Sequence, residues 1–171
     1  MNLVDVLADL NSYDDLIRHA AHQTLLDLGP EVVPILLEEF PTIGGAARLS
    51  VLRVLGEIGD ERAVPLLLGA MCERSPDSYF LVPSLAARAL GQIGGRMAVE
   101  GLRGHLEHDD RGVRRMAAAV LRHIGDELAI DALRRALAHH SAEVRGLAAD
   151  ALRRIGTPHT YAILASAGYR L

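Results

Sequence analysis

The sequence predicts an all-α fold: a right-handed α-α superhelix, or solenoid, of about five helical hairpins with an N-terminal capping helix. Three observations predict it. One motif recurs five times along the 171 residues, each copy ending in glycine. Within each copy the apolar residues return at helical rather than alternating spacing. Directly after most of the glycines stand residues that start helices.

The copies are IRHAAHQTLLDLG, ARLSVLRVLGEIG, VPSLAARALGQIG, VRRMAAAVLRHIG and VRGLAADALRRIG, ending at Gly29, Gly59, Gly94, Gly125 and Gly156. Four positions before the glycine stand Leu25, Leu55, Leu90, Leu121 and Leu152, and one before it Leu28, Ile58, Ile93, Ile124 and Ile155. Eight before come Ala21, Val51, Ala86, Ala117 and Ala148, and twelve before come Ile17, Ala47, Val82, Val113 and Val144. These offsets share one helical face, with small residues where a neighbouring helix must come close. The glycine then supplies a left-handed residue that closes the first helix.

Gly59-Asp60-Glu61, Gly125-Asp126-Glu127 and Gly156-Thr157-Pro158 each open a second helix, by cap, by first-turn acid or by proline. Its apolar face runs through Val64, Leu67 and Met71, then Val99, Leu102 and Leu106, then Ile130, Leu133 and Leu137. The second helices should span about 12–14 residues, judged from that pattern. The resulting plan is one domain over residues 1–171: a capping helix at 2–10 and repeats at about 11–41, 42–74, 75–108, 109–140 and 141–171. A hairpin cannot bury its apolar face alone, so stacked neighbours must share a core.

The pattern in VLGEIGDERAVPLL (54–67) and VRRMAAAVLRHIGDELAIDAL (113–133) resembles the short HEAT-like repeat of the phycobilisome lyases. The tryptophan of tetratricopeptide repeats and the TPLHxA string of ankyrins are both missing. A few enzymes share this architecture, and their signature residues are absent. The resemblance to iron-dependent deoxyhypusine hydroxylases would need His-Glu pairs at His19-Ala20, Leu49-Ser50, Ser84-Leu85, Arg115-Met116 and Gly146-Leu147; one histidine and no glutamate stand there. HEAT-like DNA glycosylases use tryptophan-rich clefts, and this chain has no tryptophan. The expectation is therefore a non-catalytic chain with no catalytic residue, no metal and no cofactor.

Composition agrees with this. Cys72 is the single cysteine, so neither an internal disulfide nor a cysteine-based zinc site can form. His105 and His108 have a spacing that could bring two imidazoles to one ion. A polar helix end, with Asp109 or Asp110 capping the next helix, explains them more simply. The arginine eleven before the glycine (Arg18, Arg48, Arg114, Arg145) reads as a structural ladder that bonds carboxylates or carbonyls between layers. The start MNLVDVLADLN has no basic leader, and no apolar run approaches the roughly 20 residues of a membrane span. A cytoplasmic protein without membrane contact is expected.

The partner expected is a protein or peptide. Residues 1–85 carry 13 acidic and 5 basic side chains, residues 86–171 carry 9 and 13, and the whole chain is −4, which argues against nucleic acid. The resemblance implies that second helices line a concave face. Counting from the glycines places Glu31, Glu38, Arg62, Met97, Glu100, Leu128, Asp131, Arg135 and His159 on that face as candidate contacts. A second candidate contact is the one irregular interval, where Tyr79 and Phe80 enter and Pro83 replaces the recurrent arginine. Two other partner classes remain open: an accessory role, lyase- or chaperone-like, toward a tetrapyrrole-bearing protein, and a nucleic-acid-binding module.

Overall fold

The structure, a computed structural model, describes residues 3–73 and 81–170. Tyr79 and Phe80 lie outside the described residues. The chain divides into two compact units, residues 1–93 and 94–171. Among the described residues every regular element is helical.

In the first unit, α1 (Leu3–Asp9) is followed by α2 (Asp15–Leu28), α3 (Val33–Glu39), α4 (Gly45–Ile58), α5 (Val64–Met71) and α6 (Leu81–Ile93). α4 packs on α6, α5 on α6 and α2 on α4. The repeated leucines at its centre, Leu25, Leu55 and Leu90, have no exposed surface. Ile17 and Leu28 of the first copy are the exception, at 42% and 43% exposed: α2 lies at one edge of the unit, where α1 covers it only in part. Pro83 is buried in the first turn of α6, where a missing backbone N–H costs nothing.

The second unit contains α7 (Gly95–His105), α8 (Arg111–Ile124), α9 (Glu127–Ala136), α10 (Ala142–Ile155) and α11 (Pro158–Ser166). α8 packs against α10, and α7 against both α8 and α9. Leu102, Leu121, Leu133 and Leu152 are fully enclosed between them. Each unit is thus a stack of hairpins in which first helices lie beside first helices and second beside second. This is the all-α solenoid architecture.

All five terminal glycines adopt positive φ, from 58° at Gly125 to 76° at Gly59, which is why no other residue type stands there. The second helices are shorter than the expected 12–14 residues. α3 and α5 are 7 and 8 residues long, because Gly29–Val32 and Glu61–Ala63 wind first as 3₁₀ turns. Pro34 and Pro65 then sit just inside the α-helical segments, where their rings are tolerated.

The arginine ladder is present, and the carbonyls of the preceding turn are its main partners. Arg114 donates to the carbonyls of His108 at 2.7 Å and Asp109 at 2.8 Å, and Arg145 to those of His139 and His140, both at 2.8 Å. Arg48 does the same to Phe40 at 2.7 Å while stacking on its ring, and Arg18 to Ser12 at 2.5 Å. Three rungs also reach a carboxylate. Arg18 pairs with Asp15 of its own helix, while Arg48 meets Glu73 and Arg114 meets Glu143, the last two at 2.6 Å. These guanidiniums satisfy carbonyls that a helix end leaves orphaned.

Candidate functional site

On the second unit, α7 and α9 lie side by side and leave a shallow groove of about 160 Å³. α7 supplies Arg96, Glu100 and Arg103 to it; α9 supplies Leu128, Asp131 and Arg135. The α7 residues step by four then three and the α9 residues by three then four, so one face of each helix meets the groove. Val99 and Ala132, each 5% exposed, form the floor.

Apolar surface is left open here. Leu128 is 38% exposed on the groove wall, and Met97, in the first turn of α7, is 45% exposed. The charges around them are largely matched. Asp131 accepts from Arg134 at 2.5 Å and from Arg135 at 2.8 Å, and Arg96 approaches Glu100 at 3.7 Å. The hydrogen bond from Arg134, with Arg135 adding to it, holds the Asp131 carboxyl below the usual carboxylate range. The Arg103 side chain has no ion pair or hydrogen bond among the described residues. The groove is small against the roughly 300 Å³ or more of small-molecule pockets, and better suited to one side chain of a larger partner.

Four of the nine residues placed by sequence on the inner face therefore meet in one groove: Glu100, Leu128, Asp131 and Arg135. Met97 is exposed on α7 without lining it, and His159 on α11 lies 3.5 Å from Glu127 of α9. Glu31, Glu38 and Arg62 belong to the first unit, where both glutamates are exposed. Arg62 acts structurally, clasping Asp60, the cap of its own turn, and donating to the Pro30 carbonyl at 2.7 Å. Sequence reasoning missed Arg96 and Arg103, although their spacing to Glu100 on α7 carried the signal.

The histidines serve the turns. His108 Nδ1 accepts the Asp110 N–H at 3.0 Å, and one repeat later His139 Nδ1 accepts that of Ser141 at 3.1 Å. His105 Nδ1 lies 2.8 Å from the Gly101 carbonyl. Asp110, rather than Asp109, caps α8, accepting from Gly112 and Val113. Among the described residues no three His, Cys, Asp or Glu side chains are grouped to hold a metal ion. Burial pushes the Cys72 thiol up, away from the reactive thiolate. No helix among the described residues is long and apolar enough to cross a membrane.

The family model for HEAT repeats matches residues 45–119, 72–153 and 105–168. The chain belongs to the HEAT-repeat family. Comparison with curated protein sequences gave no match. Among solved structures, this HEAT-repeat chain is similar to one in the complex of CpcE and CpcF of phycocyanin lyase from Nostoc sp. PCC7120, at 22% identity and a TM-score of 0.57 over 87% of this chain and 96% of that one. It is also similar to a designed armadillo repeat protein in complex with the peptide (KR)4, at 18% identity and a TM-score of 0.47 over 98% and 88%. Human deoxyhypusine hydroxylase gives 18% identity and a TM-score of 0.41 over 96% and 77%. At these identities the phycocyanin lyase likeness speaks for the fold.

Proposed function

We propose that this HEAT-repeat chain is a non-catalytic scaffold, and that the α7–α9 face of its second unit binds a protein or peptide. The observation that carries the reading is Leu128, exposed on the wall of a groove whose rim is charged and whose floor is apolar. An apolar anchor site ringed by charged side chains is the usual anatomy of a protein contact. The same groove offers no nucleophile paired with a base, and its carboxylate Asp131 is held ionised by arginines rather than poised to exchange a proton.

The test is kinetic, on a partner captured with the wild-type chain and then purified. Leu128→Ala should speed dissociation at least about tenfold, since a buried leucine contributes roughly 1.5–3 kcal/mol. Arg135→Glu should mainly slow association and change its salt dependence. Both variants should remain folded, because both side chains are exposed. Wild-type kinetics in both variants would sink the reading. A second reading, an accessory role toward a tetrapyrrole-bearing protein, draws support from the overlap in fold with the phycocyanin lyase chain. Capture of a bilin-bearing protein would favour it.

A further inference from the structure

The other side of the second unit differs in charge from the α7–α9 face. Between α8 and α10 runs a second shallow groove, of about 180 Å³, to which α8 presents Arg115 and Arg122 and α10 presents Arg154. All three are exposed, and none of the three side chains has an ion pair or hydrogen bond among the described residues. The carboxylate beside them, Asp150, already accepts from Arg153 at 3.0 Å. On α7–α9, by contrast, Arg96 and Arg135 each face an acid of their own helix. With three arginines against one carboxylate, the α8–α10 groove keeps a positive excess.

We propose that this groove docks an acidic α-helix of a partner protein, at a site separate from the α7–α9 face. Charge complementarity selects the sign of the partner, and geometry selects the helix. Arg115 and Arg122 are seven residues apart on one face of α8, which sets them about 10.5 Å apart along the axis at 1.5 Å per residue. Two carboxylates seven apart on a helix laid along α8 have that same spacing. Carboxylates on one side of an extended strand recur about every 6.8 Å and would meet only one arginine squarely. Between the arginines the groove is lined by Ala118 and Ala119 on α8 and by Ala151 and the half-buried Leu147 on α10, so small side chains let a partner helix come close and Leu147 offers it an apolar contact. Nucleic acid fits less well: no aromatic side chain lines the groove to stack a base, and the chain as a whole carries −4.

The experiment uses the whole chain and a synthetic alanine-based helical peptide with glutamates at every seventh position. A control peptide has the same composition with the glutamates spread around the helix, and a short DNA duplex is the third probe. Fluorescence anisotropy at low salt should show the seven-spaced peptide binding at least about tenfold tighter than the control. Arg115→Ala with Arg122→Ala should remove that preference while leaving circular dichroism and the melting temperature unchanged. Equal binding of the two peptides, stronger binding of the duplex, or a preference that survives in the double variant would each overturn the proposal.

Discussion

Gly56 decides how closely α4 and α6 approach. A methyl group built on it would lie 2.8 Å from both Cα and Cβ of Ala89, closer than real carbons sit. Replacing a mid-helix glycine by alanine ordinarily gains up to about 1 kcal/mol in helix propensity. Here Ala89 presents backbone, which cannot swing aside, so overpacking at about 1–3 kcal/mol outweighs that gain. Gly56→Ala should therefore destabilise the chain in urea unfolding, and a stabilised variant would show the contact to be looser. Leu121 is the opposite case, fully enclosed in the second unit. Leu121→Ala should cost roughly 2–5 kcal/mol by leaving a cavity, and an unchanged unfolding curve would mean that the repeat register is wrong. Both residues stand at repeat positions, yet only Leu121 announced its role in the sequence. An apolar residue at a fixed offset from the glycine can be read from one chain. The closeness of Gly56 to Ala89 depends on two helices meeting, which periodicity does not contain.

At the scale of an element, the rung formed by Arg114 holds the start of α8 to the turn before it and to Glu143 of α10. The hydrogen bond from Arg114 is the main cause that lowers the Glu143 pKa, with Arg111 adding charge. A carboxylate whose folded pKa is depressed contributes stability above its unfolded pKa, and that contribution is lost as pH falls through the folded value. The stability difference between wild type and Glu143→Gln should therefore be full near neutral pH and shrink below about pH 4, where an unfolded glutamate protonates. Thermal melts across that range check it; a difference independent of pH would detach Glu143 from the ladder. The regular spacing of the arginines made a structural role legible, including a choice between carboxylates and carbonyls as partners. Their carbonyl partners sit in turns, where His108 and His139 also bond the backbone, and single-sequence patterns do not place such groups. The shortening of α3 and α5 has a similar origin, since a 3₁₀ turn and an α turn share the same apolar spacing over three residues.

Over the whole molecule, the charge is unevenly divided: residues 1–93 carry 13 acidic and 6 basic side chains, residues 94–171 carry 9 and 12. Within the second unit the excess is concentrated on α8–α10, while α7–α9 pairs its charges except at Arg103 and exposes Leu128 and Met97. One unit thus presents two faces of different chemistry, suited to different partners. The all-α repeat architecture and the buried leucines followed from the repeat alone. Half of the candidate face did as well, because Glu100, Leu128, Asp131 and Arg135 occupy repeat positions that two neighbouring second helices bring together. Arg62 looked equally free by the same counting, and only its bond to the Pro30 carbonyl reveals a structural role. The central claim, that α7 and α9 form the binding face, is tested most directly by hydrogen exchange with and without the purified partner. Slowed exchange in Gly95–His105 and Glu127–Ala136 is the predicted result. Unchanged exchange in both helices, with protection confined to residues 74–80 around Tyr79 and Phe80, would contradict it.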